Sequence, residues 1–200
     1  MEGQIILRAV FSYLINMIPY LAITLPVWIV VRVIVLKHRG EKPNWLREIV
    51  LCLFVLWCAG TASQTIIPKF EFGISGFGIM ASRIREVNLI PFKVVANTYR
   101  EAFVNGVRSY FFINFPGNIV MFMPFGLFVP LLWNRSNKKV VLFGCLTSVS
   151  IEICQLFLHR STDIDDVLLN TTGVLLGLLS FHLLRRITQD RILKLRKDGY

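Results

Sequence analysis

The sequence predicts an all-α integral membrane protein, a bundle of about five transmembrane helices with one interfacial amphipathic helix. Apolar residues make up 54% of the 200 residues, charged residues only 17%, and the mean hydropathy is +0.60. Soluble domains carry about 25% charged residues. The chain has an excess of basic residues, with 22 Lys and Arg against 12 Asp and Glu. This excess does not indicate a nucleic-acid partner, because a chain this apolar has too little water-exposed surface for a charged binding face.

The first two predicted spans are separated by a basic segment. A helix needs roughly 20 mostly apolar residues to cross about 30 Å of hydrocarbon. Between Arg8 and Lys37 the only charge is Arg32, which we expect to snorkel towards the nearby interface. Residues 49–68 carry no charge and predict the second span.

Three further spans follow a long connection. Residues 109–134 have no charge, residues 140–158 contain only Glu152, and residues 167–184 have none. The connection at 68–108 is long for a compact membrane protein, so we expect it to carry structure of its own. The chain then divides into a first helix with its basic loop (1–45), a membrane domain (46–184) and a basic tail (185–200).

The distribution of Lys and Arg predicts the orientation of the bundle. The segments after the first and third spans and the tail hold more of these residues than the connections on the other side. Basic loops stay in the cytoplasm. We therefore expect the N-terminus outside and the C-terminus in the cytoplasm, with 68–108 and the acidic turn at 159–166 facing outward.

An amphipathic helix is predicted at 92–105. Its apolar residues recur at helical spacing and its charged residues cover the opposite side. The apolar face consists of Phe92, Val95, Ala96, Tyr99 and Phe103. The opposite, polar face consists of Lys93, Asn97, Arg100 and Glu101. Such a helix lies in the membrane interface, where its basic residues can bind anionic lipid; a re-entrant path is the competing interpretation.

The fourth span carries a polar stripe, formed by Ser148, Glu152, Gln155 and His159 at helical spacing. Lipid offers no water to polar groups, so the stripe must face protein or a water-filled cavity. Two interpretations stay open. The stripe is either an interhelical hydrogen-bond seam or part of a site in which the buried Glu152 carboxyl transfers protons as a general acid or base.

Three carboxylates follow directly, on Asp163, Asp165 and Asp166. They repel one another unless Arg160, a cation or a helix N-terminus offsets their charge. The start of the fifth span is such a terminus, so Asp165 and Asp166 are expected to cap it. The run lacks the alternating pattern of a calcium loop, and we predict no metal and no cofactor.

Small and polar residues share one face of the fifth span. Asp166 and Asn170 precede Gly173 and Gly177 on this face. The two glycines form a G-x-x-x-G pattern that lets another helix approach closely. We expect the fourth span to be that partner, although a helix of another protein would also fit. For Asn118 in the third span, two interpretations stay open: it lies in an interhelical hydrogen-bond seam, or it lines the same pocket as Glu152.

The third span also contains Pro124, whose ring removes a helical hydrogen bond. A bend with freed carbonyl oxygens is expected at this position.

Four blocks of this sequence together resemble the VanZ-like family. They are NLIPF at 88–92, NIVMFMPFG at 118–126, EICQ at 152–155 and RSTDIDDVLLNTTG at 160–173. The resemblance covers roughly residues 50–184. The matching positions are Asn88, Pro91, Phe92, Asn118, Pro124, Gly126, Glu152, Gln155, Arg160, Asp163, Asp165, Asp166, Asn170 and Gly173.

This resemblance implies a multi-pass protein of a bacterial cytoplasmic membrane. The family's namesake lowers susceptibility to teicoplanin, a glycopeptide antibiotic with a fatty tail, and the resemblance supplies no reaction. We therefore expect an outward polar site that binds an amphiphile: a membrane lipid, a lipid-linked cell-wall precursor or a lipoglycopeptide. The residues expected to bind it are Asn118, Glu152, Gln155, Arg160, Asp163, Asp165, Asp166 and Asn170.

A membrane enzyme that modifies a lipid-linked envelope component is the alternative hypothesis. Glu152 would be its general acid or base, and Asp165 and Asp166 would be further catalytic candidates. A transporter has less support, because the sequence contains no evident internal repeat.

Overall fold

The computed structural model describes residues 2–40, 42–67, 70–73, 76–79, 87–106, 108–158 and 160–196. Within these residues, five helices are long and apolar enough to cross a membrane, which confirms the predicted fold class. The helices are α1 (Glu2–Arg39), α2 (Trp45–Thr65), α3 (Lys93–Phe103), α4 (Arg108–Leu132), α5 (Asn137–Phe157) and α6 (Ile164–Ile187). A 3₁₀ helix follows at Arg191–Leu195.

Helix α1 is joined to α2 by an ion pair. The Arg32 guanidinium donates two hydrogen bonds to the Glu48 carboxylate in the first turn of α2. We had expected Arg32 to snorkel to the interface, and the structure gives it a protein partner instead. Because its charge is paired, the basic end of α1 is fixed against the start of α2.

Helices α2 and α4 are joined by aromatic side chains and one polar contact. Phe54 and Trp57 pack against Phe122 and Phe125 with ring centroids 6.1 to 6.4 Å apart. The Trp57 indole N–H donates to the Met121 carbonyl at 2.7 Å, in the turn before Pro124. The indole thus binds the carbonyl next to that of Val120, the one from which Pro124 removes the helical donor.

The tightest helix pair is α4 with α6. A Cβ on Gly173 would overlap the Ile119 carbonyl, and one on Gly177 would overlap the Met123 carbonyl. The glycine face of α6 therefore packs on α4, and our assignment of the fourth span, α5, as its partner was wrong. Gly126 of α4 completes the contact from the other side.

Helix α5 packs on α6 through larger side chains. Gly144 faces the Val174 side chain, and Ser148 and Asn170 are hydrogen-bonded between the two helices. The buried apolar core lies between α4, α5 and α6 and consists of Phe122, Val129, Val140, Val174 and Leu178.

The connection between α2 and α4 has its own structure, as expected. Strands β1 (Phe70–Gly73) and β2 (Gly76–Ile79) pair antiparallel, and β3 (Val87–Asn88) pairs in parallel with β4 (Thr162–Asp163). Helix α3 confirms the predicted helix. Its Ala102 is buried, while Phe92, Tyr99 and Phe103 are exposed and form an apolar surface suited to lipid.

The segment after α6 folds back on the bundle. Leu195 packs in an apolar cluster with Leu131 and Phe181. The Arg196 Nε donates to the Pro130 carbonyl at 2.9 Å, and the guanidinium lies 5.4 Å from the centre of the Phe181 ring. The expected basic tail is thus packed against α4 and α6 as far as residue 196; residues 197–200 lie outside the described part.

Candidate functional site

Polar side chains meet at the end of the bundle where α2 and α5 end and α4 and α6 begin. The structure brings together all eight residues that the sequence singled out, in a cluster with Asn88 and Ser148. We call this group the polar cluster. It consists of Asn88, Asn118, Ser148, Glu152, Gln155, Arg160, Asp163, Asp165, Asp166 and Asn170.

Glu152 anchors the turn between α5 and α6. Only 6% of its surface is exposed, and its Oε2 accepts a hydrogen bond from the Asp163 backbone N–H at 2.9 Å. The Thr162 hydroxyl donates to the Glu152 carbonyl at 3.3 Å. The carboxylates of Asp163 and Asp166 are close enough to interact electrostatically with that of Glu152.

The Gln155 amide lies between two acceptors. With its nitrogen turned to Glu152 it donates to both carboxylate oxygens at 3.2 Å, and in the opposite orientation it donates to the Thr65 carbonyl at 3.3 Å. Arg160 already supplies a donor to that carbonyl at 2.7 Å. The orientation towards Glu152 therefore satisfies more acceptors, and Ser148, Glu152 and Gln155 form the predicted buried stripe. His159 lies outside the described residues.

Asp163 is the residue that caps α6. Its side chain accepts from the Asp165 backbone N–H at 3.0 Å, as an N-cap carboxylate does. It also accepts from the Asn88 amide at 2.7 Å, while Asn88 Oδ1 accepts from the Ile90 N–H at 3.2 Å. Asp163 therefore joins the start of α6 to the short β3–β4 pair.

Asp165 caps a different helix from the one predicted. It is 1% exposed, and its carboxylate accepts from the backbone N–H groups of Phe92, Val94 and Val95, the last two at 2.8 and 3.0 Å. These groups form the N-terminus of α3. The expectation that Asp165 caps its own helix was wrong, because a neighbouring helix presents three free donors to it.

Asp166 and Asn170 face α4 and α5. The Asn118 amide donates to Asp166 at 2.6 Å, which places Asn118 in the cluster. The Asn170 amide donates to the Ser148 hydroxyl at 2.8 Å. Asn170 is 3% exposed, and its Oδ1 accepts no hydrogen bond from the part of the chain that the structure describes.

Arg160 binds the end of α2. Its Nη1 donates to the carbonyls of Gln64 and Thr65 at 3.2 and 2.7 Å. Carbonyls in the last turn of a helix lack intrahelical donors, so the guanidinium satisfies them and complements the negative end of the helix dipole. Its expected part in binding an amphiphile stays a prediction.

The geometry limits what the polar cluster can do. Both oxygens of Asp165 are occupied by backbone donors, which argues against a catalytic role for that residue. Over the described ranges, no three His, Cys, Asp or Glu side chains are placed to hold a metal ion. The partly exposed Asp166 leaves an acceptor for hydroxyl or amine donors of a ligand, whereas Asn170 Oδ1 is buried.

Sequence reasoning missed the donors that fix the cluster. These donors are backbone N–H groups of residues 92–95, which every residue type except proline carries, so no sequence pattern identifies them. Only the NLIPF block at 88–92 indicated that the start of α3 belongs to the site.

Comparison with known proteins gives one match. A family model described as VanZ/LLP1 matches residues 48–185, more than half of the chain and the whole polar cluster. No curated protein and no solved structure matches the chain significantly. The family model and the five apolar helices agree on a multi-pass membrane protein. The chain therefore belongs to the VanZ/LLP1 family.

Proposed function

We propose that this protein binds an amphiphile through the polar cluster at the outer leaflet and thereby lowers susceptibility to teicoplanin-type lipoglycopeptides. One observation carries the proposal: a buried group of acids and amides is joined by Asp165 to a helix whose aromatic face is exposed. Polar and lipid-like surfaces thus lie side by side, as a ligand with a polar head and a fatty tail requires.

The ligand's polar head would meet two kinds of group. Asp166, which is partly exposed, offers an acceptor to hydroxyl or amine groups. Arg160 uses only Nη1 in hydrogen bonds to the described residues, so the rest of its guanidinium can meet an anionic group. The fatty tail would lie along Tyr99 and Phe103 of α3.

Capture of the antibiotic, or of the lipid-linked precursor that it recognises, would reduce the amount of antibiotic acting at its target. The test compares inhibitory concentrations of teicoplanin and vancomycin in a sensitive Gram-positive host that expresses the wild type, Glu152→Gln or Asp166→Asn. We expect selective protection against teicoplanin from the wild type and its loss in both variants.

A matched control is Glu101→Gln, the same carboxyl-to-amide change at an exposed position of α3. Membrane levels of all variants are compared by immunoblot. If both cluster variants still protect the host, Glu152 and Asp166 contribute only to packing and not to resistance. Absence of protection by the wild type would remove the resistance role for this member of the family.

Binding is tested directly with purified protein in lipid nanodiscs. Saturable binding of teicoplanin or of a lipid-linked cell-wall precursor, weakened by Asp166→Asn, supports the proposal. If neither binds saturably, the capture mechanism is wrong.

A membrane enzyme acting on a lipid-linked envelope component is the second candidate. The favouring observation is a buried carboxyl, Glu152, whose Oε1 accepts from no described residue other than Gln155. This candidate predicts new lipid or cell-wall products in mass spectra that disappear in Glu152→Gln at equal protein level. Identical product profiles with and without the protein would exclude it.

A further inference from the structure

A groove at the end of α6 opposite to the polar cluster combines arginine and leucine side chains. It has a volume of about 510 Å³. Leu179 and Leu183 form its apolar part, and its polar part consists of His182, Arg185, Arg186, Gln189 and Asp190. We propose that this groove binds one anionic glycerophospholipid, with the phosphate at Arg186 and an acyl chain along the two leucines.

The depth of these residues matches the layers of a bilayer. Helix α6 has 24 residues and is about 36 Å long, slightly more than the hydrocarbon thickness of about 30 Å. Arg186, near its last residue, therefore lies at headgroup level. Leu179 lies about 10 Å nearer the polar cluster along the helix, within the hydrocarbon layer.

The charges around the groove favour an anion. Between residues 185 and 196 the chain carries five cationic side chains and a single carboxylate, that of Asp190. Asp190 is ion-paired with Arg185, so its charge is neutralised locally. The Arg186 side chain makes no hydrogen bond or ion pair with any residue that the structure describes, so its guanidinium can bind a phosphate. Burial lowers the pKa of the Arg196 guanidinium, and the nearby charge of Arg185 lowers it further.

The carbonyl groups at the end of α6 do not need the arginine side chains as hydrogen-bond donors. The last carbonyls of α6 accept backbone hydrogen bonds from Thr188, Gln189 and Asp190 at 2.9 to 3.3 Å. Gln189 and Asp190 have positive φ angles of 48° and 66°, which turn the chain back and close the groove. The carbonyls of Leu184, Arg185 and Arg186 are thus satisfied without the arginine side chains.

The opposite end of α6 holds the polar cluster, so this inference does not depend on the proposed function. The source of the phosphate is a membrane lipid, because the exposed leucines offer nothing to a soluble phosphate.

The test uses the purified full chain and native mass spectrometry with three probes: phosphatidylglycerol, phosphatidylcholine and soluble glycerol 3-phosphate. We expect one saturably bound phosphatidylglycerol. Arg186→Gln should weaken its binding about fivefold, the equivalent of about 1 kcal/mol for one cation near an anionic lipid. Arg191→Gln removes the same charge outside the groove and should change binding less than twofold.

Arg186→Lys is the second variant, because it keeps the charge and the aliphatic stem but loses the two-pronged donor pattern. It should weaken binding more than Arg191→Lys does. Equal effects at positions 186 and 191 would show diffuse attraction to a basic surface and overturn the proposal. Equal binding of phosphatidylcholine, or displacement of the lipid by glycerol 3-phosphate, would overturn it as well.

Discussion

Asp165 joins the polar cluster to the N-terminus of α3. Its carboxylate satisfies three N–H groups of α3, a helix more than 60 residues earlier in the chain. Phe92, which precedes α3, has a φ of 63°, a conformation unfavourable for a non-glycine residue. The sequence predicted that acids would lie at a helix N-terminus, but not which helix, because capping between helices depends on tertiary contact.

Asp165→Asn should loosen α3. The amide keeps one acceptor oxygen but turns an NH₂ group towards backbone donors, and an unsatisfied buried donor costs about 1–3 kcal/mol. We expect faster hydrogen exchange at Val94 and Val95 and a lower melting temperature in detergent. Glu101→Gln on the exposed side of α3 should change neither quantity. Unchanged exchange in Asp165→Asn would mean that other contacts hold α3 in place.

At the scale of helices, hydropathy predicted the elements and not their pairing. Apolar windows with at most one charged residue placed all five spans, since the bilayer imposes both length and composition. The G-x-x-x-G pattern predicted close packing of α6, but α4 and not α5 fills that face. The short turn between α5 and α6 makes these helices neighbours in sequence. Gly126 nevertheless lets the backbone of α4 approach α6 more closely than α5 does.

Gly177→Ala tests this packing. The added methyl would overlap the Met123 carbonyl, a backbone atom that cannot move aside, so we expect a loss of about 1–3 kcal/mol in unfolding free energy. Gly117→Ala is the matched control. It lies in the same helix pair with nothing near its Cβ position, and alanine favours helix by up to about 1 kcal/mol. Unfolding by sodium dodecyl sulfate measures both. Equal stability of the two variants would contradict the tight α4–α6 contact.

At the scale of the whole molecule, alternation of the five helices places the polar cluster and the proposed lipid groove on opposite sides of the membrane. Arg160 contacts the end of α2, and Asn118, ten residues into α4, contacts Asp166 at the start of α6. Which end faces outward follows from the predicted charge bias alone. The orientation is therefore the whole-molecule property on which the proposed capture at the outer leaflet depends.

Single-cysteine labelling tests this orientation. In a variant whose native residues Cys52, Cys58, Cys145 and Cys154 are replaced, Asn105→Cys lies in the connection before α4 and Ser136→Cys in the turn before α5. Both positions are exposed. With the N-terminus outside, a membrane-impermeant maleimide should label the cysteine at 105 in intact cells and the one at 136 only after permeabilisation.

A cytoplasmic protein with an exposed cysteine, scored in the same cells, controls for leakage of the reagent. The reverse labelling pattern would place the polar cluster at the cytoplasmic face and the arginine groove at the outer face. Antibiotic in the outer leaflet could not then reach the cluster, so the capture mechanism would fail. The lipid groove would survive such a result, because anionic lipid headgroups are present on both faces and its chemistry requires only the membrane interface.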